Sequence, residues 1–501
     1  MGFLRIVHRT GRPEVLPNPR VLAFLLLCLL TLAFPAPPRA DAQVPLPYMP
    51  RVQKLQAPPP IELPAPPEGS AQEGQTPLSA SEAARIALGM RGVIKKAQAD
   101  VAAARGRTQQ AQSPLNPTVT VGTGYTGINN FISPSSSTGT GIIAAPAGGV
   151  AGSTGQTVSI PGYQVNAAVR QLIYDFNHTR QLIREAQAQE EALGATLTKT
   201  QQQVVLEVKT TFYDHLYKAR LVTIYEKTLS TQKEHLSMAE ERFKAGVGLP
   251  QDVVRSEAAV ASTIYQLTQA RNDASISRIK LATLMGVDPR TPLLTSDDPE
   301  PPPAALPLEA FIEKALRERP DMKGGMSQVK AAEYALGAAA TNNAPDVVGS
   351  TSYSMRGYNF PPHNSDQLST TLSIQWSIGD GGLTPGMVKE AKAHIEAARA
   401  QLEETKQAVI SEVSQAYLSM ASAEQKLTAS DAEVANADES LRLAEGRFKS
   451  GLGILLDVLD AQNALLTARV NRVKARLDVD LSIASLAYAL GENLPPPRQG
   501  P

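Results

Sequence analysis

Two aspartates in the last part of the chain have the spacing of a charged pair on one side of a helix. Asp457 and Asp460 open a stretch that contains neither proline nor glycine before Gly491, which predicts a helix. Side chains three positions apart share a helix face, and like charges there destabilise the helix. The helix dipole accounts for a carboxylate in the first turn, Asp457, but not for Asp460. Because adjacent carboxylates attract cations, Asp460 is a candidate functional residue.

The turn that precedes these aspartates occurs twice in the chain. RFKAGVGLPQDVV covers residues 242–254, and RFKSGLGILLDVL covers residues 447–459. In both, a glycine (Gly246 or Gly451) can supply the left-handed residue that ends a helix. The aspartate of each stretch then falls in the first turn of the returning helix. The two stretches therefore predict the turns of two equivalent helical hairpins.

The separation of these turns, 205 positions, recurs along much of the chain. Asp175 and Asp380 have this separation, and so do Gly286 and Gly491. Earlier in each half the separation is 228 positions, so the first half contains an insertion of 23 residues in a Gly/Ser-rich loop at 133–157. The chain therefore contains two copies of one structural unit.

This duplication predicts a division of the chain into six parts. They are a signal peptide at 1–42, a Pro-rich tether at 43–77, a first structural repeat at 78–286, a Pro-rich linker at 287–307, a second structural repeat at 308–491 and a tail at 492–501.

Each repeat has the same predicted order of elements. One opening helix (78–112 or 308–340) is followed by two strands, a very long helix and a return helix. The last strand is the clearest, because residues 370–378 alternate between apolar and polar side chains from Thr370 to Ile378. The long helices, predicted from Thr179 to Ala245 and from Met387 to Phe448, could each reach about 100 Å.

Composition and the N-terminus restrict the class of protein. The 48 basic and 48 acidic residues give zero formal net charge, which argues against a nucleic-acid partner. Arginines precede an apolar run at 21–34 and an Ala-Asp-Ala motif at 40–42, the pattern of a cleaved export signal. No later segment is apolar enough for a transmembrane helix, so a membrane-crossing form of this chain requires a β-barrel.

Motifs for catalysis or cofactor binding are not expected in this chain. GTGYTG at 122–127 fits a dinucleotide-binding pattern, but it lies in a strand-like alternation with no helix after it. The six histidines lack metal-ligand spacing, and the one cysteine, Cys28, lies in the predicted signal. The sequence therefore predicts no enzyme, no cofactor and no metal site.

With its duplicated turns and strand–Asp–long-helix junctions, the chain resembles the TolC family of bacterial outer-membrane channel proteins. The resemblance covers nearly everything after the tether. It implies an α+β membrane protein, a trimer that shares one transmembrane β-barrel with four strands from each chain. The trimer continues as a long periplasmic α-helical barrel.

The resemblance also implies a function and partners. The chain is expected to be the outer-membrane exit channel of a tripartite efflux pump for small molecules such as drugs, toxic compounds or metal ions. Its partners are expected to be two further copies, a periplasmic adaptor protein, an inner-membrane transporter and outer-membrane lipid. A component of a type I protein secretion system remains an alternative. A periplasmic coiled-coil scaffold is an alternative from another class.

Carried onto this sequence, the family assigns roles to the two turns. The adaptor is expected to contact one small-Gly-apolar triplet in each turn, and Asp457 with Asp460 is expected to form a cation-selective periplasmic gate. Polar residues that link the closed tip in some members correspond here to Phe448 and Gly453. The triplets are Ala245, Gly246, Val247 and Ser450, Gly451, Leu452; the shared turn motif is Arg242, Phe243, Asp252, Arg447 and Phe448.

Overall fold

The computed structural model describes most of the two repeats. The predicted signal peptide and all but the last residue of the predicted tether lie outside the described part. So do nearly all of the 133–157 loop, part of the linker and most of the tail. The described residues are 77–131, 157–296, 306–363, 365–492 and 494.

The described residues form eight α-helices and four strands in the order α1-α2-β1-β2-α3-α4, then α5-α6-β3-β4-α7-α8. The helices are α1 Ala80–Met90, α2 Gly92–Gln112, α3 His178–Lys244, α4 Pro250–Met285, α5 Leu308–Glu318, α6 Pro320–Ala340, α7 Leu383–Lys449 and α8 Leu455–Ala489. The strands are β1 Thr118–Phe131, β2 Thr157–Tyr174, β3 Asp346–Gly357 and β4 Ser365–Gln375.

Equivalent helices of the two halves have nearly the same length. The helices before the strands have 11 and 21 residues in both halves, and the long helices have 67 residues in both. The return helices have 36 and 35 residues. Their bounds differ by the same 228 and 205 positions that relate the two halves of the sequence, except that the return helices end 204 positions apart, at Met285 and Ala489.

An aspartate between strand and helix lies three positions before each of the long helices α3 and α7. Asp175 Oδ2 accepts a hydrogen bond from the backbone N–H of Thr179 at 2.6 Å. Asp380 Oδ2 accepts the equivalent bond from Thr384 at 2.7 Å. Each carboxylate satisfies one of the N–H groups that have no partner at a helix start. Over 67 residues each helix extends about 100 Å, as predicted.

The prediction of one opening helix in each repeat was wrong. The structure has two, because the chain is extended at Arg91 (ψ 130°) and at Arg319 (ψ 135°). Pro320 disfavours the helical conformation of the residue before it, and Gly92 is a poor helix former at the same place in the first repeat. The break turns each arginine toward a glutamate of the long helix.

Arg319 forms the more buried of these two ionic contacts. Its guanidinium binds Asp321 through Nε and Nη2, at 3.0 and 2.8 Å, and Glu412 through Nη1 at 2.5 Å. Nη1 also donates to the carbonyl of Ala489 at 3.2 Å. Burial by itself raises the pKa of Asp321, but the hydrogen bonds and charge of Arg319 hold that pKa below its ordinary value.

The four strands form one antiparallel sheet in the order β1-β2-β3-β4. Strands β1 and β4 are its two edges. Several large apolar side chains of β4 are exposed, among them Leu368, Leu372 and Ile374 at about 70%. The sheet therefore presents apolar surface that the described part of this chain does not cover.

The predicted strand at 370–378 ends earlier than expected. Its last paired residue is Gln375, which lies opposite Asp346. Pro345, the residue before Asp346, has no N–H to continue the ladder. Trp376 instead donates its indole N–H to the carbonyl of Asn343 at 3.2 Å. Trp376 and Ile378 therefore lie beyond the strand.

None of the helices in the described part of the chain is both long and apolar enough to cross a membrane.

Removing Arg319 should destabilise the protein far more than removing Arg91. Arg319→Ala leaves the largely buried Asp321 without its main partner, which costs about 3 kcal/mol. Arg91 is paired with Glu207, whose carboxylate is half exposed, so Arg91→Ala should cost less than about 1 kcal/mol. Thermal unfolding of the detergent-solubilised protein measures both. The double variant Arg319→Ala, Asp321→Ala should recover part of the loss; equal losses for the two arginines would contradict the assignment.

Candidate functional site

The two hairpin turns have the same backbone geometry. Gly246 has φ 75° and Gly451 has φ 76°, which confirms the predicted left-handed glycines. The N–H of Gly246 donates to Phe243, and that of the next residue donates to Arg242, both at 3.0 Å. The second turn repeats this pattern from Gly451 and Leu452. This paired arrangement is a Schellman motif, which satisfies the last carbonyls of a helix.

A second glycine in each turn is required by close packing. A Cβ at Gly248 would lie 2.7 Å from the backbone nitrogen of Phe243, and one at Gly453 would lie 3.2 Å from that of Phe448. Both glycines also donate their N–H to the helix end, to Arg242 and its counterpart in the second turn. The sequence analysis missed this role, although the Gly-x-Gly spacing of both turns was a signal for it.

The expected adaptor triplets lie at the outermost part of the turns. Every residue of both triplets is exposed. Val247 is 71% exposed and Leu452 is 77% exposed, and Leu249 and Ile454, two positions further on, are exposed as well. Each turn therefore ends in an apolar patch that its own hairpin does not cover.

The two gate candidates are exposed carboxylates at the start of α8. Asp457 is in the first turn, and Asp460 follows one turn later. Neither forms an ion pair or a side-chain hydrogen bond within the described residues. In the first hairpin, Asp252 is in the first turn of α4, but an exposed Arg255 replaces the second carboxylate. The structure therefore leaves two negative charges together on the second hairpin only.

One arginine joins the two turns of the chain. The Arg242 guanidinium carbon lies 4.6 Å from the ring centroid of Phe448, and Arg242 Nη1 donates to the Phe448 carbonyl at 3.3 Å. Phe448 is buried in a cluster that includes Leu455 and Val458 of α8. The equivalent residues do not meet within the chain. Arg447 is exposed, and Phe243 is 46% exposed.

Residues 84–287 and 311–492 match the family model described as outer membrane efflux protein. The chain belongs to this family. It is an outer-membrane efflux channel rather than an enzyme. Channels of the family are trimers in tripartite pumps.

Relatives and solved structures agree with this membership. The efflux protein is 25% identical over 345 residues to outer membrane efflux protein BepC of Brucella suis, covering 67% of this chain and 73% of BepC. It is 24% identical over 414 residues to outer membrane protein TolC of Escherichia coli, covering 79% of both. The structure of the outer-membrane channel OprN has a TM-score of 0.70 at 22% identity, covering 83% of this chain and 91% of OprN. The predicted TolC-like fold is confirmed, and the scaffold alternative is not supported.

A buried histidine above the turns was missed by the sequence analysis. His235 of α3 is 3% exposed, and its Nε2 lies 3.8 Å from Oε1 of Glu445 on α7. Neither ring nitrogen forms a hydrogen bond within the described residues. Burial lowers the pKa of His235, against the opposing charges of Glu445 and Glu234, and the charge of Lys449 lowers it further. Metal-ligand spacing was the wrong signal for this residue, because its burial depends on tertiary packing.

Acidification should destabilise this efflux protein through His235. The unfolded chain binds a proton near the ordinary histidine pKa, about 6.5, whereas the folded chain binds it only at lower pH. Stability is therefore lost as pH falls from about 6.5 toward the folded-state pKa. Melting temperatures across this range should fall less in His235→Leu than in the parent protein. His394→Leu, at an exposed position, is the control. An unchanged pH profile in His235→Leu would contradict the assignment.

Proposed function

We propose that the protein is the exit channel of a tripartite efflux pump and works as a homotrimer. Family membership and the two long hairpins support the proposal most strongly. The open edges of the four-stranded sheet also support it. Strands β1 and β4 leave backbone groups unpaired, and such groups are costly in a bilayer unless another chain pairs with them. Three copies would supply twelve strands, enough to close the sheet.

The partners proposed at the other end are a periplasmic adaptor and, through it, an inner-membrane transporter. The support is the exposed apolar patch on both turns, together with the family resemblance. Val247 and Leu452 are among the most exposed large apolar side chains of the described residues, and such patches typically mark protein contacts. The adaptor would bind the triplets Ala245-Gly246-Val247 and Ser450-Gly451-Leu452.

The proposed gate consists of Asp457 and Asp460 from each copy. Six unpaired carboxylates around one opening would attract cations and make the narrowest part of the duct cation-selective. The exposure of both aspartates and their lack of partners within the described residues support this role.

The cargo is proposed to be small molecules, such as drugs, toxic compounds or metal ions. Deletion of the gene should then sensitise cells to such compounds; loss of an exported polypeptide instead would favour type I secretion.

Neutralising the gate should change conduction in planar bilayers. The double variant Asp457→Asn, Asp460→Asn is expected to raise single-channel conductance and to weaken block by multivalent cations at least about tenfold. A single unit charge 4 Å from a cation already contributes about 1 kcal/mol in water, and the variant removes several. Block constants for a trivalent cation are the measurement.

Arg255 supplies the matched control for this experiment. It occupies the position equivalent to Asp460 in the first hairpin, so Arg255→Gln removes a positive charge from the same level. This variant should strengthen cation selectivity and block, the opposite of the aspartate variants. If both variants conduct like the parent protein, the gate does not lie at these residues. That result would leave the proposal of an efflux channel unaffected.

A further inference from the structure

The four-stranded sheet has one apolar face and one polar face. Successive residues of a strand point to opposite faces, and residues directly opposite each other in neighbouring strands share a face. One row across the sheet is apolar or aromatic in every strand, and its members are Val121, Ala167, Tyr353 and Leu368. In the proposed channel this face would contact lipid, so the other face would line the duct.

The polar face contains an arginine in two of its rows. The other members of these rows are small residues, hydroxyls or amides. Near the long helices, the first row consists of Thr118, Arg170, Ser350 and Thr371. Near the hairpin between β3 and β4, the second row consists of Gly124, Gln164, Arg356 and Ser365. Six residues separate the two rows along β2, which corresponds to about 20 Å.

The charges of Arg170 and Arg356 are not neutralised within the sheet. Both residues are exposed, and neither forms an ion pair or a side-chain hydrogen bond within the described residues. Asp366 lies on the apolar face, where it accepts a hydrogen bond from the Tyr353 hydroxyl at 3.5 Å. Asp346 shares the polar face but is four residues from the row of Arg170, about 13 Å along β3. That distance exceeds the screening length of about 8 Å at physiological salt.

A neighbouring copy would not neutralise these arginines either. Closure of the sheet in the proposed trimer would pair β1 of one copy with β4 of the next. Strand β1 carries no charged residue, and the one charge of β4, Asp366, is on the apolar face. The connections at 132–156 and 358–364 contain no acidic residue. Three copies would therefore place six unpaired arginines along this part of the duct.

We propose that the strand-lined part of the duct attracts anions through Arg170 and Arg356, and that the cargo is accordingly a small organic anion such as a carboxylate, phosphate or sulfonate. Rings of arginine favour anions in a pore, and the guanidinium group matches the geometry of carboxylates and phosphates. The inference rests on the proposed trimeric channel and narrows its cargo. It gives the duct opposite charges at its two ends, because the proposed gate consists of aspartates.

The ion preference of the channel in planar bilayers tests the inference. The double variant Arg170→Gln, Arg356→Gln removes six positive charges from the trimer. It should raise the permeability ratio of K⁺ to Cl⁻ about threefold, measured as a shift of the reversal potential in a KCl gradient. The same increase is expected when Asp457→Asn and Asp460→Asn are also present, because the two charged regions lie at different ends of the duct. Block by tripolyphosphate should weaken at least about threefold.

Two adjacent residues of β4 provide matched variants for the face assignment. Gln367 lies on the polar face opposite Ser354, one row from Arg356, whereas Asp366 lies on the apolar face. Gln367→Glu should therefore raise the K⁺ to Cl⁻ ratio and weaken tripolyphosphate block, as the arginine variants do. Asp366→Asn changes a charge at nearly the same level and should leave both measurements unchanged.

The outcomes separate this inference from the proposed channel. If the parent protein forms no conducting trimer, both fail. If it conducts, but the arginine variants and Gln367→Glu retain its ion preference and its block by tripolyphosphate, the inference is overturned and the channel stands. An effect of Asp366→Asn as large as that of Gln367→Glu would also overturn the inference, because the polar face would then not be the one that lines the duct.

Discussion

The structure depends on one constraint: a long amphipathic helix has two flanks, and this chain covers both flanks of only one of its two longest helices. Helix α3 packs within its own repeat and along the second repeat, whereas α7 packs within its own repeat and contacts α3 near the turns. Apolar surface that water can reach is unfavourable by roughly 25 cal/mol per Å². A duplicated chain with two equivalent hairpins therefore leaves apolar side chains of α7 exposed, such as Leu418, whose equivalents on α3, such as Tyr213, are buried.

Duplication also explains why the two turns share a backbone but differ in side-chain contacts. Both need a left-handed glycine and a second glycine close to the helix end, so Gly246, Gly248, Gly451 and Gly453 follow from geometry. Once the backbone is set, the same residue type can be used differently. Phe448 is buried beneath an arginine of its own chain, whereas Phe243 is half exposed. The repeated motif therefore specifies the turn, and its place in the chain decides which contact it makes.

Most helices and strands of the fold could be predicted from local patterns in the sequence. The long helices, the four strands and the glycine turns follow from periodicity, from the absence of breakers and from the constant separation of equivalent residues. The break at Arg319 was also visible, since Pro320 follows it. The break at Arg91 was not, because Gly92 weakens a helix without ending it, and the partner of Arg91, Glu207, lies far away in the sequence.

Features that depend on contacts between residues far apart in the chain could not be predicted from the sequence. Trp376 continues the alternation of β4 but leaves the strand, because its indole group bonds to a carbonyl just before β3. His235 is buried where α3 approaches α7 near the turns. At the candidate site, spacing placed Asp457 and Asp460 on one exposed face. It gave no indication that Arg242 would cover Phe448.

The difference between the two hairpins has an electrostatic consequence. In the proposed trimer, six like charges brought together at a narrow opening would repel one another, so carboxylates alone would favour separation of the second hairpins. An opposing attraction must come from contacts that carboxylate repulsion does not weaken. Apolar packing beside the turns meets this requirement, and Phe448 shows it within one chain, where it is buried in a cluster with Leu455 and Val458. Arg255 of the first hairpin stands at the position equivalent to Asp460, so the first hairpin adds no second carboxylate to this repulsion. The duplicated hairpins thus differ in charge where they share a backbone: in the proposed channel the second supplies the pair of carboxylates that attracts cations, and the first supplies one carboxylate with an arginine one turn away.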